Sequence, residues 1–158
     1  MGRMYTVVFS AVSLSAAQDL FEISPADDKP CKIKGISLAQ TGVADVGDAQ
    51  EEMLKLDVIR GHTTSGSGGG SYTPGPLNPS DTAAGFAAEI NNTTIAASGT
   101  TKTLHSSAWN VRGTYDFWWP DETEPTATQA NTTMVVRMAT APADAITVSG
   151  TLYVIEEG

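Results

Sequence analysis

Between Ile146 and Val154 the chain alternates without a fault. Ile146, Val148, Gly150, Leu152 and Val154 take one phase, and Thr147, Ser149, Thr151 and Tyr153 take the other. A period of two belongs to a strand with one face on a core, and a slip of one residue would carry the apolar set into water. The register of this strand is therefore firmly fixed, and the rest of the chain has to supply strands to pair with it.

The same period recurs through most of the sequence. Met4–Leu14 reads as a strand, followed by a break at Ser15–Gln18, a short strand at Leu20–Ile23 and a turn from Ser24 to Pro30, where two prolines and two aspartates oppose helix. In Cys31–Gln40 the phase slips around Gly35, which predicts a bulge. Thr41–Asp48 reads as a turn and Ala49–Met53 as a helical turn before the strand Leu54–Arg60. Ser80 and Asp81 are candidate caps for a brief helix through Ala88. Asn92–Ala97 and Lys102–Ser107 flank Ser98-Gly99-Thr100 as a hairpin. Ala108–Val111 and Thr114–Trp119 follow around the turn Arg112-Gly113. Pro120–Asn131 reads as loop, and Thr132–Ala139 as another strand. Short strands with turns between them and no convincing long helix predict an all-β fold. A single antiparallel β-sandwich domain over 1–158, jelly-roll-like, accommodates the long connections.

One stretch does not fit this rhythm. Gly61–Gly85, GHTTSGSGGGSYTPGPLNPSDTAAG, consists mostly of Gly, Ser, Thr and Pro, and structureless connections beyond ~12–15 residues are uncommon in compact domains. Gly66 and Gly68–Gly70 favour flexibility, whereas Pro74, Pro76 and Pro79 stiffen the second half, where Tyr72 and Leu77 give it something apolar to dock. Two readings stand side by side: an extended arm over about 61–85, ordered by contact with a neighbouring subunit, and a loose surface loop.

Composition removes several function classes. A net charge of −9 opposes nucleic acid as a partner, because phosphate binding needs clustered Lys and Arg. No apolar run approaches the ~18–20 residues of a membrane helix. The opening MGRMYTVVFSAVSLSAAQ imitates a signal peptide, yet its alternation suits a strand better, and synthesis in the cytosol is expected. Cys31 is the only cysteine and His62 and His105 the only histidines, so no catalytic, metal or cofactor site is predicted. Asp121, Glu122 and Glu124 read as a solvated acidic loop.

The run Tyr115-Asp116-Phe117-Trp118-Trp119 is the remaining signal. Adjacent residues of a strand face opposite ways, so one of Trp118 and Trp119 fills the core. The other faces a neighbour, a ligand, water or the molecule's own long loop. The candidate contact residues are thus Tyr72, Pro74, Pro76, Leu77, Trp118 and Trp119.

Taken over most of its length, the chain resembles the accessory head proteins of tailed bacteriophages, the decoration or cement proteins. The resemblance rests on GRMYTVVFSAVSLSAAQDLFEISPADDKP, on EEMLKLDVIRGHTTSGSGGG with PGPLNPSDTAAGF, and on APADAITVSGTLYVIEEG. It implies a β-sandwich subunit without enzyme activity that binds the assembled major capsid protein on the outer surface of the virion. A protein repeated over a symmetric lattice is also expected to self-associate, as a dimer or trimer. No site residue carries over from the family. The other readings are a tail, fibre or adhesin module, sugar-binding through Trp118 or Trp119, and a jelly-roll enzyme.

Overall fold

A computed structural model of the chain describes residues 2–41, 51–131 and 133–158. Among these residues the regular structure is twelve strands and one 3₁₀ turn. The strands are β1 (Arg3–Leu14), β2 (Gln18–Ser24), β3 (Cys31–Gln40), β4 (Met53–His62), β5 (Gly70–Tyr72), β6 (Gly75–Pro76), β7 (Ala87–Asn92), β8 (Lys102–Asn110), β9 (Tyr115–Trp118), β10 (Thr126–Ala127), β11 (Thr133–Met138) and β12 (Ile146–Glu156). The 3₁₀ turn is Gln129–Asn131. The turn expected at Thr41–Asp48 lies, after Thr41, outside the described residues, as do Ala49 and Gln50 of the helical turn expected at Ala49–Met53; Glu51 and Glu52 are not helical and Met53 already belongs to β4.

Two antiparallel sheets of six strands pack face to face. The first, sheet A, contains β1-β12-β3-β9 in that order, with β10 also on β3 and β6 outside β1. The second, sheet B, runs β5-β7-β2-β11-β4-β8. Without the short strands, the orders β1-β12-β3-β9 and β2-β11-β4-β8 are those of two interleaved Greek keys, a jelly roll. The all-β sandwich read from the sequence is the fold observed. Strand β12 sits at the centre of sheet A, between β1 and β3, and its burial alternates over its whole length. The core between the sheets holds Tyr5, Phe21, Leu38, Trp109, Met134 and Val154, all essentially inaccessible.

The phase slip at Gly35 is real. Ile33 pairs with Val154 and Gly35 with Tyr153, so Lys34 is the extra residue of a bulge. A second bulge, between Phe9 and Val12, puts Ala11 at φ 52, where its N–H bonds Ser149 Oγ at 2.9 Å.

The stretch 61–85 is not an extended arm; it is folded onto its own chain. Strand β5 lengthens sheet B beside β7, and β6 lengthens sheet A beside β1. The stretch thereby closes one flank of the sandwich. Tyr5 Oη donates to Thr82 O at 3.0 Å and its ring meets Phe86 edge-on. At the far end Glu156, 3% exposed, accepts from the amides of Gly85 and Phe86.

Its glycine-rich first half is held by polar groups instead of apolar ones. Residues 63–67 and 93–97 bond each other through the amides and carbonyls of Thr64 with Ala97 and of Ser67 with Thr94. The paired loops lie over the outer face of sheet B, where Ala96 packs with Ile59 and Val135. Beneath them are two buried carboxylates of β2. Glu22 accepts from Ser65 Oγ (2.5 Å), Gly66 N (3.0 Å) and Asn92 Nδ2 (3.2 Å). Asp19 accepts from Ala96 N (2.7 Å) and from Arg137 Nε (2.6 Å) and Nη2 (3.2 Å). Buried carboxylates are tolerable because every bond is charge-assisted and their lone pairs are used.

Two elements depart from the sequence reading. Asn92–Ala97 and Lys102–Ser107 do not form a hairpin. Asn91 (φ 55), Ser98 (φ 59) and Gly99 (φ 82) break the strand, and β8, which absorbs the expected strand Ala108–Val111 as far as Asn110, pairs with β4. The expected helix Ser80–Ala88 is absent. Asn78–Asp81 is a turn closed by Asp81 N to Asn78 O at 2.9 Å, and Ala87 already lies in β7 with Phe86 and Ala88 buried. Burial of Phe86 and Ala88 outweighs the helix propensity of the alanines. The loop Pro120–Asn131 contains β10 and the 3₁₀ turn.

Candidate contact face

The bulge at Lys34 leaves Gly35 on the outer face of sheet A, opposite Tyr153 on one side and Trp118 on the other. Without a side chain at 35, the Trp118 indole crosses the strand and rests on Tyr153, with ring centroids 4.6 Å apart and planes at 37°. A Cβ on Gly35 would stand 2.8 Å from Cδ2 and Cε3 of Trp118. Trp118 is nevertheless 50% exposed. Its neighbour Trp119 turns inward, 6% exposed, against Phe117 (4.7 Å) and the His105 ring (5.0 Å). The opposition of the two tryptophans is thus present, with Trp119 as the buried member.

Sheet register extends this platform. Thr6 opposes Tyr153 on one side and Gly75 on the other. Two residues along, on the same face, Met4 opposes Ile155, and Ile155 opposes Lys32. Leu77 continues the pairing of β6, its N–H bonding Met4 O at 3.0 Å, and is 53% exposed. Cross-strand partners share a face, so Leu77, Met4, Ile155, Tyr153 and Trp118 form one apolar belt over β6, β1, β12, β3 and β9. At ~4.8 Å between strands the belt is roughly 19 Å long.

Of the six residues singled out in the sequence, Trp118 and Leu77 lie on this belt, at its opposite ends. Pro76 is half-buried opposite Tyr5 in the same sheet. Pro74 is half-buried between β5 and β6. Tyr72 packs against the core opposite Ala88 in sheet B, and Trp119 belongs to the core. Neither of the last two contributes to the belt. Met4, Tyr153 and Ile155 were missed. The signal for two of them was available: the outward phase of β12 reads Thr147, Ser149, Thr151, and then turns apolar at Tyr153 and Ile155.

Charges rim the belt in pairs. Lys34 Nζ bonds Asp121 and, at 3.1 Å, Glu124; Lys32 bonds Glu157 at 2.7 Å; Arg3 lies 4.0 Å from Asp81. The Asp121 bond, followed by that to Glu124, raises the Lys34 pKa, and Lys34 lowers that of Asp121. Asp116 and Glu122 are exposed at the Trp118 end, which is therefore acidic.

The histidines lie elsewhere. His62 is buried in sheet B near Arg137, and His105 is wedged between the sheets with Phe117 and Trp119. Burial lowers the pKa of both, with the Arg137 charge as the next cause at His62. Among the described residues no group of three or more His, Cys, Asp or Glu side chains converges as a metal site would require. What the belt offers is dispersion and apolar burial with a charged edge. Comparison with protein-family models, with curated proteins and with solved structures finds no match to this chain.

Proposed function

We propose that the chain is a structural protein of a tailed-bacteriophage head, a decoration subunit that binds the assembled major capsid protein on the outer surface of the virion. The observation that carries this reading is the belt from Leu77 to Trp118, an apolar strip with half-exposed ends on the outer face of sheet A. Large apolar side chains gathered on a sheet face are a usual mark of a protein contact. A subunit that binds the closed lattice and not the free capsid protein stabilises the particle by mass action. The resemblance of the long sequence segments points the same way, and the acidic surface suits a partner other than nucleic acid.

The test is cosedimentation of the purified chain with expanded, undecorated heads of the phage that encodes it, with heat release of DNA as a second readout. Saturable binding that Trp118→Ala and Leu77→Asp weaken supports the proposal. Absence of cosedimentation overturns it.

A second reading has its own observation in favour. An indole braced against Tyr153 and half open to solvent is a stacking surface for a sugar ring, as a fibre or adhesin module would use. Glycan binding that is lost in Trp118→Ala, with no affinity for heads, would select that reading instead.

A further inference from the structure

The belt differs in charge between its two ends. Beside Leu77 the charges cancel, with Arg3 4.0 Å from Asp81. Around Trp118 they do not. Lys34 is only 17% exposed and shares its ammonium between Asp121 and Glu124, and Lys32 is held by Glu157. Asp116 and Glu122 remain over. Both are exposed, and neither enters an ion pair among the described residues.

Asp116 stands two residues before Trp118 in β9, so the two side chains share the outer face, about 6.6 Å apart along the strand. Asp116 opposes Ser37, and Ser37 opposes Thr151, so the strands beside the carboxylate carry small side chains that leave it uncovered. The indole lies across Gly35 and turns one face to the sheet, since Cδ2 and Cε3 are the ring atoms that a Cβ at 35 would strike. Tyr153 braces it from the far side. Half of the ring remains open to solvent. The open face of an indole is negative through its quadrupole, and the carboxylate next to it has the same sign.

We propose that this end of the belt seats an arginine side chain of the partner, its guanidinium stacked on the open face of Trp118 and bonded to the Asp116 carboxylate. A planar guanidinium serves both groups at once, with its face on the ring and its N–H edge on the carboxylate. A strongly hydrated ammonium gains less from the ring. The inference rests on the function proposed above: the partner is then a surface of the assembled capsid protein that carries an arginine at one end of an apolar strip. An apolar belt alone accepts such a strip in either direction. A cation required at Trp118, with none required at Leu77, leaves one direction and so fixes how the subunit is oriented on the lattice.

The test has two arms, and the first needs no capsid. The purified chain is titrated with acetyl-Gly-Arg-Gly-amide while the three tryptophan indole N–H resonances are followed by NMR, that of Trp118 being identified by its loss in Trp118→Phe. The Trp118 resonance should move saturably. The same peptide with citrulline, which keeps the shape of arginine without its charge, should leave it in place. Asp116→Asn should weaken the arginine peptide about two- to fivefold. Asp144→Asn, which removes an exposed carboxylate at the opposite end of β12 from Tyr153, should not change it. In the second arm, Asp116→Lys should weaken cosedimentation with heads about tenfold or more, with circular dichroism confirming its fold. An equal response to the citrulline peptide, no response to the arginine peptide, or equal weakening by Asp144→Asn overturns the inference. So does head binding that Asp116→Lys leaves unchanged, which would keep the belt as a contact and remove the arginine from it. Failure of the wild-type chain to bind heads would remove the proposed function, and the peptide arm would still decide whether the guanidinium seat exists.

Discussion

Gly35 and Trp118 are coupled by what Gly35 lacks: the indole occupies the space that a side chain at 35 would need, with Phe117 O also only 3.2 Å from the missing Cβ. Gly35→Ala should lift the ring from Tyr153. The cost is that of overpacking, about 1–3 kcal/mol, and lower in that range because the ring can swing into solvent. Iodide quenching of tryptophan fluorescence should increase, since Trp109 and Trp119 are buried and Trp118 dominates the accessible signal. Unchanged quenching and stability would refute this coupling.

The two adjacent tryptophans should respond very differently to truncation. Trp119→Ala opens a cavity against Phe117 and His105 and should cost about 3–5 kcal/mol in urea unfolding. Trp118→Ala removes a half-exposed ring and should cost less than about 1 kcal/mol. Equal losses would contradict the placement of the pair.

The loops at 63–67 and 93–97 should be ordered in the isolated chain. Native-state hydrogen exchange is expected to find the amides of Gly66, Thr94, Ala96 and Ala97 protected, because their acceptors are Glu22, Ser67, Asp19 and Thr64 of the same molecule. Asp19→Ala leaves the Arg137 guanidinium, only 14% exposed, without its counter-ion and should cost up to about 3–5 kcal/mol. Protection at Ala96 should be lost first. Rapid exchange at all four amides in the wild type would mean that the clamp does not hold in solution.

Acid should destabilise the fold below the ordinary histidine range. Burial holds the pKa values of His62 and His105 below 6.5, so as pH falls through 6.5 the unfolded chain takes up protons that the folded chain refuses. The contribution of the neutral rings is complete above that pH and is lost beneath it. His105→Phe, which keeps an aromatic ring against Phe117 and Trp119, should flatten the decline between pH 7 and 5. An unaltered pH profile would remove His105 from this role.

Cys31 should resist thiol reagents until the fold opens. Burial, and after it the charge of Glu156, pushes its pKa up to about 12, so almost no thiolate exists near neutrality. Labelling by a disulfide reagent at pH 8 should follow the unfolding transition in denaturant. Stoichiometric reaction with the native chain would show that β3 opens locally.

Several features of this protein are set by local sequence alone. The alternation in Ile146–Val154 marks a strand on a core, the slip near Gly35 marks a bulge, and the adjacency of Trp118 and Trp119 sends one ring inward. Each depends only on the geometry of a single strand, in which the side chains of neighbouring residues point to opposite faces. Leu77 and Trp118 stood out in the sequence for a similar reason, each a large apolar side chain in a polar setting, and both are exposed.

Only the tertiary structure decided what those faces meet. The glycine-rich half of 61–85 has no apolar residues to order it, and nothing local announces that Asp19 and Glu22, more than forty residues earlier, will bind its amides and those of its partner loop. The same holds for the belt, whose members Met4, Leu77, Trp118, Tyr153 and Ile155 become neighbours through strand pairing. A period of two specifies a face but not the strand beside it. That choice belongs to long-range hydrogen bonding and core packing, which no short window of sequence contains.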